Sequence, residues 1–468
     1  MDSLVHEIVS EQRDDLSSLM RCTYMQEHHS LPSPQENGIT DHLPTNHPER
    51  KQAPSPHTYE WATALIGWVL QGGVLLSAII ILIGIILLPT RPGGLSPQRL
   101  LTFPFTWSQL VQELVQFHPQ SMITLGLLCL IATPVLRVAV SIVTFVVERD
   151  RTYIIITCIV LAILLFSIFG VATWSSGHHA TLVRGLHFNA LIPVLIFLAS
   201  IVAGLLGSLV GLGGGVLIVP LLTIVFKLPI EFAIGASIIS VIATSSGAAA
   251  AYVRDHLTNI RIGMFLEIAT TIGAISGAFL AGLLAPNLLN IIFGVILLIS
   301  AAPLVFKIGE DTPQGVKNDR LATWLHLSGS YPDHKEGKEI AYQVTRTPWG
   351  LAMMYVAGLI SGLLGIGSGT FKVIALDSLM RLPIKVSTTT SNFMIGVTAA
   401  ASAGIYFSRG DIPPLVAAPV ALGILIGALV GARLLENMSN KLLRIIFLLV
   451  LIVSALEMIL HGTGVGAF

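Results

Sequence analysis

Apolar stretches of membrane-spanning length recur along this chain from about residue 64 to residue 460, separated by short polar or glycine-rich joints. Three come first, near 64–89, 121–147 and 152–173. The charged joint 148–151 divides the second from the third. The longer joint after the first carries Phe103, Phe105 and Trp107 and reads as a segment lying at the membrane surface. From residue 188 the pattern doubles. Residues 188–307 and 349–462 each run as an apolar stretch, a glycine cluster, a short apolar piece and three longer ones. The short pieces, 212–226 and 366–380, rise about 22 Å as helix against a hydrocarbon core of about 30 Å. They are either half-helices or tilted crossings that share a break with the preceding segment.

The two copies align without a gap at an offset of 154 residues. Gly211, Gly213 and Gly215 fall on Gly365, Gly367 and Gly369, and Leu228-Pro229 falls on Leu382-Pro383. Ser237 falls on Ser391, Tyr252 on Tyr406, and Gly273 and Gly277 on Gly427 and Gly431. Internal repeats that interrupt membrane segments at matching places are the best sequence-level pointer to a transporter's binding site.

Composition settles the class: 53% hydrophobic and 11% charged residues, with a mean hydropathy of +0.80, exclude a soluble globule. The expected fold is an all-α polytopic membrane protein, two repeats of about five segments each with glycine-broken helices, preceded by three transmembrane helices. The expected divisions are a cytosolic tail (1–60), a three-span unit (61–187), repeat 1 (188–307), a cytosolic linker (308–348) and repeat 2 (349–468). The tail holds six prolines, six histidines and ten acidic residues against four basic ones, a disordered composition. In the linker, the string SYPDHKEGKEIAYQV has the character of a small hairpin.

Charge distribution orients the repeats. With five crossings per copy and a cytosolic tail, 19 Lys/Arg fall on the cytosolic side and five outside; with four crossings the count is 12 against 12. The positive-inside rule favours five. An odd number turns the second copy upside-down relative to the first, which is the layout of inverted-repeat transporters.

Net charge is zero, so no nucleic-acid partner is indicated. Cys22, Cys129 and Cys158 form no metal-ligand pair, and His178, His179 and His187 in one loop make a weak metal site; no metal, cofactor or catalytic residue is assigned. The expected partners are the lipid bilayer of the plasma (inner) membrane and a small inorganic or organosulfur anion, with a homo-oligomer left open.

The glycines have two readings. Gly273/Gly277 and Gly427/Gly431, four apart, suit close helix packing. The denser clusters Gly211, Gly213, Gly214, Gly215 and Gly365, Gly367, Ser368, Gly369 open the helix, because each glycine costs about 1 kcal/mol relative to alanine. Exposed backbone N–H groups at membrane depth must line a cavity or bind something, and they suit an anion. Lys372, three residues past Gly369, adds a cation where the first copy has Ile218. Its counter-charge is a bound anion or Asp377, which alternatively pairs with Arg381. Ser237, Ser391 and Asn392 (with Thr390) either supply neutral donors or bond back to their own helix. Glu267 carries a coupling proton or serves as structural partner to Arg137 or Lys372. Arg137, deep in the second span beside Pro134, is a functional candidate by position. Its alternatives are snorkelling and pairing with a neighbouring helix's carbonyls.

The strings GLLGSLVGLGGGVLIVPLL with KLP, and GLISGLLGIGSG with RLP and TTTSNF, resemble the two signatures of the TauE/SafE family of sulfite and organosulfur anion exporters. That resemblance implies a bacterial-type plasma-membrane permease for small anions. The chain departs from the family pattern at Ser368, where glycine is usual, at Ile374, where the first copy has Pro220, and at Lys372. The three N-terminal spans resemble an uncharacterised three-span membrane family, as if an accessory subunit were fused to its permease. Against the transporter stand two readings: a sensor or assembly factor, and an intramembrane transferase. The latter lacks clustered intramembrane histidines or carboxylates.

Overall fold

Helix bounds repeat at the same offset as the sequence. A computed structural model describes residues 57–89, 107–170, 191–210, 214–255, 257–306, 315–333, 338–435 and 440–464. The tail before residue 57, the cluster members Gly211 and Gly213 and the loop histidines lie outside the described residues. The first copy forms α5 (Leu191–Val210), α6 (Gly215–Pro220, continued by a π-helical turn Leu221–Val225), α7 (Ile230–Arg254), α8 (Ile260–Ala281) and α9 (Pro286–Phe306). The second forms α11 (Thr347–Leu364), α12 (Gly369–Ile374, continued by a π-helical turn Ala375–Leu379), α13 (Ile384–Arg409), α14 (Pro414–Leu435) and α15 (Asn440–Thr463). Ahead of both stand α1 (His57–Leu87), α2 (Trp107–Val115), α3 (Pro119–Val147) and α4 (Arg151–Leu165, with a π-helical turn Phe166–Gly170). Among the described residues, seven helices are long and apolar enough to cross a membrane. The short elements α6 and α12 span only residues 215–225 and 369–379, about 16 Å of rise and shorter than the sequence pattern suggested.

Glycines set the helix pairing. A Cβ on Gly273 or Gly277 of α8 would run into the carbonyls of Tyr355 and Leu359 of α11, so the packing reading of these positions holds. Gly427 of α14 meets the carbonyl of Ile201 of α5 in the same way, and 201 and 427 are the repeat equivalents of 355 and 273. Advancing along one helix advances along its partner, so α8 runs parallel to α11 and α5 parallel to α14. The self-equivalent pairs do the reverse. Gly294 of α9 packs on Ala455 of α15, while Gly462 packs back on Asn287. Gly235 at the start of α7 abuts Asp411 just beyond α13, and Gly396 inside α13 abuts Ser245 near the end of α7. Both pairs are antiparallel.

The helix α13 is central. Twenty of its 26 residues are buried, among them Thr389, Thr390, Ser391, Asn392, Thr398 and Ser402. So polar a helix is tolerable at membrane depth because its neighbours, not lipid, surround it. The N-terminal helices dock on it: Pro134 lies beside Gly396, Ser167 donates to the carbonyl of Ala401, and Gly404 leaves room for the backbone at Ile168. Outward faces of α1, α4 and α5 carry exposed Leu, Ile and Val, as lipid-facing surfaces do.

One end of the bundle gathers the polar connections. Arg261 at the start of α8 pairs with Glu148 (3.5 Å) and Asp150 (3.3 Å) of the α3–α4 joint. Tyr153 donates to the carbonyl of Leu325 (2.8 Å), just after the short helix α10 (Arg320–Trp324), and Asn259 donates to Tyr342 (2.8 Å). The expected hairpin is present: β1 (Gly329–Asp333) pairs antiparallel with β2 (Lys338–Tyr342), Gly329 opposite Tyr342. Asp319 holds the linker against the second copy, capping α10 through the N–H of Ala322 and reaching the N–H of Thr347 (both 2.6 Å).

Candidate functional site

The two glycine breaks meet at one serine. Ser237 of α7 places its hydroxyl 2.8 Å from the carbonyl of Gly215 and 2.9 Å from that of Gly365, one from each copy. Ser391, its equivalent on α13, donates to the carbonyl of Gly369 at 3.2 Å. Neither serine is primarily an open donor, and neither bonds back to its own helix; both tie a break to the following long helix. Asn392 is buried beside Ser391.

The second break is a turn that only unusual backbone conformations allow. Gly365 (φ +69°) and Gly367 (φ +72°) are left-handed, and Ser368 joins them at φ +48°, where a side chain is disfavoured. Ser368 is buried, and its hydroxyl has no hydrogen-bond partner among the described residues. The N–H groups from Ile366 to Phe371 make no backbone hydrogen bond among the described residues; the next, of Lys372, bonds the carbonyl of Ser368 at 3.1 Å. Successive unsatisfied N–H groups in such a conformation form a concavity suited to an anion.

Beyond the turn, Lys372 is fully buried. Its ammonium donates to the hydroxyl of Thr398 on α13 at 2.6 Å, and that hydroxyl donates to Oε1 of Glu267 on α8 at 2.8 Å. Lys372 and Glu267 are therefore partners through Thr398. Asp377, the other sequence candidate, is not among the charged neighbours of Lys372. The equivalents of Lys372 and Glu267 in the opposite copies are Ile218 and Ala421, both buried and both apolar. One side of the repeat is charged and the other is not.

Arg137 also belongs to this neighbourhood. Its guanidinium lies 4.2 Å from the ring centroid of Phe393 on α13 and interacts electrostatically with Glu267. Full burial rules out snorkelling, and none of its three nitrogens finds a carbonyl or other hydrogen-bond partner among the described residues. Sequence reasoning missed Phe393 and Thr398. Thr398 had one available signal: its repeat equivalent, Thr244, is also a threonine.

These features define a polytopic helical membrane protein with a doubled, glycine-broken core and a buried charge cluster. Residues 195–458 match the family model described as Sulfite exporter TauE/SafE; the chain belongs to this family, whose members are transporters and not enzymes. Residues 66–169 match a second model, Protein of unknown function (DUF1634). Curated relatives include three proteins of Bacillus subtilis, each named a probable membrane transporter protein. YunE is 27% identical over 58% of this chain and 98% of its own length. YdhB is 26% identical over 54% and 94%, and YjnA 27% over 57% and 99%. No solved structure matches the chain.

Proposed function

We propose that this protein is a plasma-membrane (inner-membrane) permease for small anions, exporting sulfite or a related organosulfur anion by alternating access. The observation that carries the reading is the meeting of both glycine breaks at Ser237, with Lys372 one turn past the second break. Residues 61–187 are read as the three-span unit, 188–307 and 349–468 as the two repeats, and 308–348 as a cytosolic linker.

Helix directions support inversion. A helix antiparallel to its own equivalent requires a pseudo-two-fold axis lying across the helices, as α7 with α13 and α9 with α15 provide. Since α7 runs antiparallel to α13 and α5 parallel to α14, α5 and α7 point the same way, and the stretch through α6 must return across the membrane between them. This supports five crossings per copy. Arg149, Arg151 and Arg261, counted on the cytosolic side, then share the end where Asp150 and the linker meet.

In this reading the anion sits at the 365–369 turn, held by backbone N–H groups, the hydroxyl of Ser368 and the charge of Lys372. Gly214 and Gly215 line the opposing break, with Gly211 and Gly213 as site candidates that lie outside the described residues, and Ser237, Ser391 and Asn392 border the site. Glu267, linked to Lys372 by Thr398, is placed to couple proton movement to the state of the lysine; Asp377 is the second coupling candidate. Rocking of one repeat against the other alternates access.

The test is flux. Purified protein in liposomes is expected to move sulfite, thiosulfate or a small sulfonate down an imposed proton or voltage gradient, with flux lost in Gly365→Leu and sharply reduced in Lys372→Ala. No flux of any anion under either gradient would overturn the reading.

A further inference from the structure

The N-terminal unit reaches into the core of the transporter. Arg137 comes from α3, outside the repeats, yet its guanidinium rests on Phe393 of the central helix α13. Phe393 follows Asn392 and lies two residues after Ser391, whose hydroxyl ties down Gly369 at the second break. The ring also meets α8, where a Cβ on Gly263 would come within 3.1 Å of its edge, one turn before Glu267. Arg137, Lys372 and Glu267 are mutual electrostatic neighbours.

Charge does not balance in this cluster. Among the described residues, one carboxylate, Glu267, faces two cations, Arg137 and Lys372. A guanidinium stays protonated in proteins, and an aromatic face offsets only part of the cost of burying it. Meanwhile all three of its nitrogens stand without acceptors among the described residues. Full burial with unused donors calls for an anion that the protein itself does not supply.

Resting on the permease reading above, we propose that Arg137 of the N-terminal unit is the second cation of the anion site and that the site selects a singly charged oxyanion. The single surplus charge sets the valence. The planar fork of donors sets the shape: it pairs with two oxygens of one group, as a sulfonate, hydrogen sulfite or carboxylate presents them, and has no such match in a halide. The N-terminal unit is thereby part of the selectivity machinery and not a detachable accessory.

The experiment uses the full chain in detergent and measures thermal stabilisation by sodium methanesulfonate, sodium sulfate and sodium chloride. Methanesulfonate is expected to act at concentrations at least tenfold below the other two. Arg137→Lys keeps the charge but loses the fork and is expected to abolish that preference; Phe393→Leu, which removes the face under the guanidinium, is expected to weaken it. Equal action of methanesulfonate and chloride on the wild type would overturn the proposal, and so would sulfate acting as strongly as methanesulfonate. An unchanged preference in Arg137→Lys would do the same. If that variant fails to reach the membrane, an unchanged preference in Phe393→Leu decides against it. Selective binding through Arg137 without liposome flux would sink the transport reading alone, whereas flux of wild-type selectivity in Arg137→Lys would sink this proposal alone.

Discussion

The carbonyls of Gly215 and Gly365, one from each repeat, share the hydroxyl of Ser237 at 2.8 and 2.9 Å. This contact is a fastening between the two breaks at the centre of the fold. Its loss strands buried carbonyls, at a cost of about 1–3 kcal/mol. Ser237→Ala is therefore expected to lower the thermal midpoint of the detergent-solubilised protein by several degrees, followed by tryptophan fluorescence. An unchanged midpoint would show that the fastening contributes nothing.

Lys372 and Glu267 should behave as a unit. Removing one strands the other's charge at depth, a change of about 3–5 kcal/mol for a buried pair. Lys372→Met and Glu267→Gln are each expected to be strongly destabilising, and the double variant to cost less than their sum. A thermal double-mutant cycle reads the difference; strict additivity would mean that Thr398 does not couple them.

Lys227 and Arg381 occupy equivalent exposed turns, with matching left-handed backbones at φ +52° and +56°. The proposed inverted layout puts them on opposite faces of the membrane. In a background without Cys22, Cys129 and Cys158, Lys227→Cys is expected to react with an impermeant maleimide from outside intact cells, and Arg381→Cys only after lysis. Reaction of both from one side would require an even number of crossings per copy.

Asp411, in the connection between α13 and α14, is buried, and burial pushes its carboxyl pKa up to about 6, with Arg409 pulling the other way. The folded state thus holds this proton more tightly than the unfolded chain, whose carboxyl titrates near 4. The stabilisation from that proton is fully present below about pH 4 and is lost as pH rises through about 6. Asp411→Asn is expected to be more stable than the wild type at pH 7, with the gap closing toward pH 4. A gap independent of pH would assign the effect to something other than this carboxyl.

Much of the architecture was legible in the residues. The 154-residue offset predicted matching elements, and α6 with α12, α7 with α13 and α8 with α14 begin at equivalent positions. The packing role of Gly273, Gly277 and Gly427 followed from spacing alone, because small residues four apart lie on one helix face. The linker string had only the character of a hairpin, and the hairpin is present. Within the site, a lysine in an apolar segment announced that a partner must exist, since burial of a lone ammonium is costly.

Which partner it would be was not legible. Helical periodicity states which residues share a face of one helix but not which faces of different helices meet. Thr398 looks like any threonine bonding back to its own helix, and it does approach the carbonyl of Met394; packing of α8 and α12 against α13 makes it the link between Glu267 and Lys372. Phe393 reads as core until Arg137 of another unit lies over it.

The sequence by itself determined the membrane class, the duplication, the places where the helices break and the asymmetry introduced by Lys372, because hydrophobic length, glycine and charge act locally. The tertiary structure alone decided that Ser237 joins the two breaks and that Lys372 answers to Glu267 and not to Asp377. It alone brought an arginine from outside the repeats to the same cluster. Those outcomes depend on contacts between helices far apart in the chain, set by where close-packed glycines let backbones touch.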